Sequence, residues 1–264
     1  MTKNCMKAMA KSKKLKVGHF IVEFATPGIG HIMKSAGCDF GFIDMEHSGF
    51  SFETIKSALR YTQAADLPTL VRAPSRDNHH LARLCDMGAE GIMMPMVGTA
   101  AEAKRIVDSI KYYPDGMRGV ALGIAHDDYQ SGPVKEKLAA ANDRTTVFAL
   151  IETAEGVDNA HEIAAIPGVD CLWVGHFDLS VSLGIPGEFD SPEFQKAINK
   201  VVAAARAHDK ALGRLVSTVE GGHDVYAQGF DFVCYSGDVW VLQTALAEAV
   251  NKLKAGPEKA TEKK

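Results

Sequence analysis

Short apolar segments alternate with amphipathic segments along most of the chain. Eight apolar segments are rich in Val, Ile, Phe and Leu: VGHFIV, FGFIDM, LPTLVR, EGIMMPM, TVFALIE, VDCLWVG, KALGRLV and FDFVCYS. Segments that are apolar on both faces are typical of strands buried on both sides. Segments with helical periodicity lie between them, at 52–64, 79–87, 100–110, 157–165, 191–208, 219–228 and 239–253.

Local signals mark the ends of these predicted helices. Ser51 and Thr99 are expected N-caps, and Pro192 occupies a first helical position. The glycines that follow predicted helices are Gly88, Gly168 and Gly229. Eight strands, each followed by a helix, predict a (β/α)₈ TIM barrel of the α/β class. No GxGxxG motif follows a strand and no GxxxxGKS/T loop occurs, which disfavours a nucleotide-binding open sheet.

The length and composition agree with one globular domain. The 264 residues suit a single α/β barrel, which we place at 17–254, between a basic N-terminal tail at 1–16 and a polar C-terminal tail at 255–264. No apolar run is long enough to span a membrane. The net charge of −4 disfavours nucleic-acid binding. Five scattered cysteines and the lack of a secretory signal predict a cytoplasmic protein.

Two carboxylates stand out because catalytic groups of a (β/α)₈ barrel lie at the carboxyl ends of its strands. Glu152 ends the fifth predicted strand, and Asp178 follows the sixth. Two converging carboxylates suit a hard divalent cation such as Mg²⁺ or Mn²⁺. Either residue could equally be a helix N-cap or a salt-bridge partner.

Three further residues could move protons or stabilise negative charge. His47 follows the second strand and could transfer protons, or be an ordinary loop histidine. Asp86 could orient His47, or lie on the surface at a helix end. Arg72 ends the third strand and could bind a carboxylate or an enolate oxygen, or pair with Asp44 or Glu46.

A long irregular segment at about 112–131 follows one predicted helix. It carries Arg118, His126 and Tyr129. Loops of this length are usually functional. We therefore expect this segment either to cover the site or to pack at a subunit contact.

Six stretches, in this order along the chain, resemble the HpcH/HpaI aldolase family. They are FGFIDMEHSGFSFETI, LPTLVRAP, LCDMGAEGIMMPMVGTAAEA, YYPDGMRGVA, LIETAEGVDN and VDCLWVGHFDLSVSLGIPG, and the similarity extends over about 17–250. Members of the family are class II, metal-dependent pyruvate aldolases, which act on 4-hydroxy-2-oxoheptanedioate and on 2-keto-3-deoxy acids. The resemblance therefore implies reversible cleavage of a 2-keto-4-hydroxy acid into pyruvate and an aldehyde.

The resemblance also implies roles for the residues at the strand ends. Glu152 and Asp178 would bind the divalent cation, which would be Mg²⁺, Mn²⁺ or Co²⁺. Arg72 would contact the keto oxygen of pyruvate and stabilise its enolate. Backbone amides around Phe177 and Asp178, in the turn after Gly175, would hold the pyruvate carboxylate.

For proton transfer and assembly, the resemblance implies two further features. His47 would shuttle the proton of the aldol hydroxyl group, with Asp86 as its partner. The chain would form a homo-oligomer, a hexamer in which copies exchange the C-terminal helix predicted at 239–253.

The sequence departs from the family pattern around the expected pocket. Leu150 replaces a common Gln, His176-Phe177 replaces a common Pro-Ala, and Met45 replaces a common Gly. These changes leave the aldehyde open. They also leave two alternatives: an oxaloacetate decarboxylase or macrophomate-synthase-like enzyme using the same enolate, and a non-catalytic barrel that binds a keto acid.

Overall fold

Eight parallel strands close into a barrel in the computed structural model, which describes residues 5–256. The strands pair in sequence order, and the last strand pairs with the first. The predicted (β/α)₈ barrel is confirmed. The strand bounds are β1 Lys16–Ile21, β2 Phe40–Asp44, β3 Thr69–Arg72, β4 Gly91–Met94, β5 Thr146–Ile151, β6 Cys171–Val174, β7 Ala211–Val216 and β8 Phe232–Gly237.

Helices surround the barrel and begin where the local signals predicted. Ser51 accepts a hydrogen bond from the amide of Thr54, and Thr99 forms a capping box with Glu102. The segment predicted at 157–165 is instead two short helices. The helix bounds are α1 Met6–Lys11, α2 Ile29–Ser35, α3 Phe52–Ala64, α4 Asn78–Asp86, α5 Ala100–Ile110, α6 Val134–Arg144, α7 Ala154–Asp158, α8 Ala160–Ala165, α9 His176–Ser182, α10 Pro192–Ala207, α11 Val219–Ala227 and α12 Asp238–Ala255.

Aromatic rings fill the interior of the barrel. The Trp173 ring meets the rings of Phe42 and Phe148 edge-on, with centroids 5.4 and 6.3 Å away. A Cβ added at Gly213 would lie 2.0 Å from the indole, so only glycine at this position leaves room for Trp173. The rings form a solid floor beneath the mouth of the barrel, where the carboxyl ends of the strands meet.

The N-terminal segment is part of the barrel rather than a solvated tail. Met6 is 0% exposed and packs with Ala10 into the interior cluster. Lys7 Nζ lies 2.5 Å from Asp170 Oδ1, just before β6, so α1 covers the amino ends of the strands. The prediction of a basic tail is therefore wrong for 5–16, because burying these apolar side chains outweighs the solvation of the lysines. The predictions for 1–4 and 257–264 lie outside the described residues.

The irregular segment at 112–131 packs at the amino end of the barrel. Gln63, near the end of α3, donates a hydrogen bond to Asp128 at 2.7 Å, and Arg144 donates one to the carbonyl of His126 at 2.7 Å. The expectation that this segment covers the mouth of its own barrel is therefore wrong. Its role at a subunit contact remains a prediction.

Helix α12 projects an apolar face into solvent. Its first residue, Asp238, is buried, and the carboxylate accepts hydrogen bonds from the amides at 22–24 beyond β1. Leu242, Leu246 and Leu253 are exposed farther along the helix. Within residues 5–256, no helix is long and apolar enough to cross a membrane.

The closure of the barrel by α1 gives a first prediction. Replacing Met6 by Ala leaves a cavity in the interior cluster and should lower the free energy of unfolding by about 2–5 kcal/mol. Met117, which is 80% exposed, is the matched control, and Met117→Ala should change stability by less than about 0.5 kcal/mol. Urea denaturation measures both variants. Equal losses of stability in the two variants would contradict the burial of Met6 and support a solvated N-terminal tail.

Candidate active site

A cavity of about 370 Å³ opens at the carboxyl ends of the strands. Its polar side chains are Asp44, His47, Arg72, Glu152, His176 and Asp178. Gly175 and Phe177 also line it. The structure thus brings together all of the site residues expected from the sequence except Asp86.

Arg72 is held at the end of β3 by two carboxylates. Its Nε and Nη2 atoms donate to the two oxygens of Asp44 at 2.6 and 2.8 Å, and Nη1 lies 3.1 Å from Glu46 Oε2. The ion pairs considered as an alternative role for Arg72 are therefore present. The two hydrogen bonds to Asp44 use two of the five N–H groups of Arg72, so both terminal nitrogens keep hydrogens for Glu46 or for an oxygen in the cavity.

The turn after β2 places His47 at the mouth. Asp44 is 0% exposed, and its carboxylate accepts hydrogen bonds from the amides of Glu46 and His47 at 3.0 and 3.1 Å. These hydrogen bonds fix the turn. The imidazole projects into the cavity with most of its surface exposed. Its Nε2 atom lies 3.9 Å from Glu46 Oε2, so Glu46 is a carboxylate that can stabilise a protonated ring.

Asp86 does not reach His47. It ends α4, and its carboxylate pairs with the buried guanidinium of Arg118. Because α4 runs antiparallel to the strands, its last residue lies at the amino end of the barrel, opposite the cavity. The predicted contact between Asp86 and His47 is absent from the described chain.

Glu152 presents one free oxygen to the cavity. Its Oε1 atom accepts the amide of Met96 at 2.7 Å, a geometry set by the left-handed backbone of Met96, with φ of 56°. A Cβ added at Gly175 would lie 2.4 Å from Glu152 Oε2, so the glycine gives this oxygen its space.

The surroundings of Glu152 alter its titration. Burial raises the pKa of Glu152 to about 7; the Met96 amide opposes that rise, and the charges of Asp178 and Glu46 add to it. These couplings place the carboxylates of Asp178 and Glu152 in one electrostatic environment. Two carboxylate oxygens of this kind suit a divalent cation that keeps water or substrate as its other ligands. The residues at 5–256 contain no cluster of three or more His, Cys, Asp or Glu that could hold a metal alone.

Helix α9 begins directly after Gly175. The amides of Phe177 and Asp178 lie in its first turn, where no intrahelical acceptor is available. The ring of His176 packs between Phe177 and Phe189, with centroids 4.5 and 5.1 Å away. Burial lowers the pKa of His176 to about 4, with a further contribution from the nearby positive charge of Arg214, so this ring is neutral at pH 7.

Sequence reasoning missed two features of the site. One is the hydrogen bond from the Met96 amide to Glu152, which depends on a backbone conformation that side-chain identities do not reveal. Trp240 lines the cavity and stacks on Phe20, with centroids 6.0 Å apart and an angle of 9° between the planes. Its position just after β8, at the mouth, is the signal that could have identified it.

Fold and site together are those of a (β/α)₈-barrel enzyme with an acidic, arginine-containing mouth. A family model described as HpcH/HpaI aldolase/citrate lyase matches residues 18–245. The chain belongs to this family, as its six motifs predicted. The predicted aldolase class is thereby confirmed.

Individual relatives align over nearly the whole chain. A hydroxypyruvate/pyruvate aldolase of Chromohalobacter salexigens is 35% identical over 232 residues, 88% of this chain and 91% of that protein. A 5-keto-4-deoxy-D-glucarate aldolase of Citrobacter koseri is 32% identical, covering 94% of this chain and 97% of that protein. The crystal structure of an HpcH/HpaI aldolase from Desulfitobacterium hafniense superposes with a TM-score of 0.91 at 31% identity, over 96% of this chain and 98% of that one.

The buried pair at the end of β3 predicts an asymmetric response to arginine removal. Arg72→Ala leaves the carboxylate of Asp44 buried without its cation and should cost about 3 kcal/mol of unfolding free energy. Arg76 is half-exposed and pairs with Glu102 at 2.5 Å, so Arg76→Ala should cost less than about 1 kcal/mol. Chemical denaturation of both variants tests this difference. Similar losses would contradict the role given to Arg72.

Proposed function

We propose that this aldolase uses a divalent cation, Mg²⁺, Mn²⁺ or Co²⁺, to cleave a 2-keto-4-hydroxy acid reversibly into pyruvate and an aldehyde. The observation that carries the proposal is the convergence of Glu152, Asp178 and the free donors of Arg72 on one cavity. The name of the Chromohalobacter salexigens relative, a hydroxypyruvate/pyruvate aldolase, supports pyruvate as the product.

Glu152 and Asp178 are the residues that would hold the cation. The free Oε2 atom of Glu152 and the carboxylate of Asp178 supply hard oxygen ligands, which this class of cation prefers. When bound, the cation would supply Lewis-acid stabilisation of negative charge on the keto acid.

Arg72 and α9 would orient the keto acid. The amides of Phe177 and Asp178 lie in the first turn of α9 and can donate hydrogen bonds to the carboxylate of pyruvate. The N–H groups of Arg72 that do not donate to Asp44 can donate to the keto oxygen. Because Asp44 and Glu46 already fix the guanidinium, Arg72 needs little reorganisation when charge develops on that oxygen.

His47 would move the proton that makes cleavage possible. It accepts the proton of the C4 hydroxyl group while the C3–C4 bond breaks and the electron pair of that bond passes into the pyruvate enolate. The aldehyde leaves, and protonation of C3 yields pyruvate. Glu46 would stabilise the protonated ring, the role that the sequence had assigned to Asp86.

Solvent exchange of pyruvate tests enolate formation without any aldehyde. In D₂O with Mg²⁺, Mn²⁺ or Co²⁺, the enzyme should replace the methyl hydrogens of pyruvate with deuterium, as followed by proton NMR. Glu152→Gln should slow exchange about 100-fold or more, since it removes the charged ligand. The control Glu155→Gln makes the same change at an exposed residue of α7 and should have no effect.

Two outcomes of this experiment count against the proposal. Folded enzyme that exchanges no pyruvate hydrogen with any of the three cations favours a barrel that only binds a keto acid. Exchange accompanied by CO₂ release from oxaloacetate, with no condensation of pyruvate and any aldehyde, favours the decarboxylase.

The role of His47 predicts a separate effect. His47→Ala should lower the kcat of aldol cleavage about 10²- to 10⁴-fold, because the hydroxyl proton loses its acceptor. The cation affinity should not change, since His47 is not a ligand in this proposal. A coupled assay of pyruvate release and calorimetric cation titration measure the two quantities. His31→Ala, on the exposed surface of α2, is the control, and an unchanged kcat for His47→Ala would remove the assigned role.

We also propose that a second copy of the chain covers the apolar face of α12. The exposed side chains of Leu242, Leu246 and Leu253 support this contact, since monomers seldom leave such a stripe in water. A homo-oligomer, with the hexamer as the form implied by the resemblance, follows from it. The molar mass in solution decides between this assembly and a monomer.

A further inference from the structure

The two sides of the cavity differ in chemical character. Strands β2 to β6 and the segments that follow them supply the charged groups, including Asp44, Arg72, Glu152 and Asp178. The remaining arc of β7, β8 and β1 supplies apolar side chains. These are Phe20, Val22, Leu215 and Trp240. Because the barrel closes in sequence order, this apolar arc is continuous.

The floor of the cavity is apolar as well. Phe42, Met93, Leu150 and Trp173 line it, and each is almost completely buried. None of these four side chains carries a charge, and only the indole N–H of Trp173 is a hydrogen-bond donor. A substrate group that extends beyond the charged arc therefore meets hydrocarbon and aromatic surface.

Two aromatic side chains at the rim leave much of their surface uncovered. Trp240 is 46% exposed although its ring stacks on Phe20, and Phe177 is 63% exposed although its ring packs edge-on against Phe189 at 5.3 Å. Gly237 makes the position of Trp240 possible, because a Cβ there would lie 2.6 Å from the indole. Both rings border the same cavity and offer stacking surface to a ligand.

Among residues 5–256, the cavity lining offers no further cation to a second carboxylate on the substrate. Arg72 is already shared by Asp44 and Glu46, and a divalent cation would be balanced by Glu152 and Asp178. Of the described residues that line the cavity, Arg72 is the only Lys or Arg. A distal carboxylate would be desolvated beside this surplus of negative charge, which is costly.

We propose that the aldehyde handled by this site is uncharged and apolar, and that it carries an aryl or bulky alkyl group between Phe177 and Trp240. The cleaved substrate is then a 4-hydroxy-2-oxo acid whose C4 bears that group and no second carboxylate. The inference rests on the proposed function. The predicted substrate differs in charge from 5-keto-4-deoxy-D-glucarate, for which one relative is named and which has a carboxylate at each end.

Aldehydes that match in shape and differ in charge test the inference. The enzyme with Mg²⁺ and pyruvate is assayed for carbon–carbon bond formation with 4-methylbenzaldehyde, 4-carboxybenzaldehyde and glycolaldehyde. The ratio of kcat/KM between the methyl and carboxy compounds should be at least tenfold in favour of the methyl compound. Glycolaldehyde, which is small and polar, should also react less efficiently than 4-methylbenzaldehyde.

Variants test whether the apolar arc and the neighbouring ring of Phe177 set this preference. Trp240→Ala and Phe177→Ala should each lower kcat/KM for 4-methylbenzaldehyde severalfold or more and change the value for glycolaldehyde less. Leu215→Arg adds a cation to the arc and should raise the relative kcat/KM for 4-carboxybenzaldehyde. Tyr226→Ala, which removes an exposed ring from α11, is the control. It should leave the kcat/KM for 4-methylbenzaldehyde unchanged relative to the values for 4-carboxybenzaldehyde and glycolaldehyde.

Deuterium exchange of pyruvate, measured on the same samples, distinguishes failure of the apolar-aldehyde proposal from failure of the proposed enolate chemistry. Wild-type enzyme that exchanges pyruvate yet prefers 4-carboxybenzaldehyde, or treats the two aryl aldehydes alike, overturns the apolar acceptor and leaves the enolate chemistry standing. Equal effects of Trp240→Ala and Phe177→Ala on all three aldehydes also overturn it. Absence of exchange in wild-type enzyme defeats the proposed function itself.

Discussion

The pairing of Arg72 with Asp44 is the interaction on which the site depends. Asp44 is completely buried, yet it binds both the guanidinium and the backbone of the turn that carries His47. One carboxylate thus fixes both the guanidinium of Arg72 and the turn that carries His47. A buried charge pair of this kind is stabilising only while both partners are present. The geometry of the mouth is therefore tied to the stability of the barrel.

Burial of Glu152 has a chemical consequence. A carboxylate whose pKa is raised to about 7 by burial holds its negative charge poorly on its own. In the proposed function, a divalent cation held by Glu152 and Asp178 would compete with a proton for this group near neutral pH. The Met96 amide limits the penalty by bonding one oxygen, while Gly175 leaves the other accessible.

The sequence predicted what depends on local pattern and failed where long-range packing decides. The strands, the Ser51 cap and the carboxylates at strand ends follow from periodicity and from the rule that active sites lie at one face. Asp86 does not reach His47 within one chain, because a helix between parallel strands ends at the opposite face of the barrel. The burial of Met6 was hidden by neighbouring lysines, although Met6, Met9 and Ala10 have the spacing of an apolar helix face.

Closure of the barrel explains why the site has two chemically distinct halves. Strands far apart in the sequence become neighbours, so Phe20 of β1 joins Leu215 of β7 and Trp240, which follows β8, in one arc. An aldol reaction also has two halves, a keto acid on which charge develops and an aldehyde on which little charge remains after proton transfer. The charged arc suits the first partner, and the apolar arc with Trp240 suits the second. Division of the cavity between two groups of adjacent strands allows the acceptor side to change in sequence without disturbing Arg72, Glu152 or Asp178.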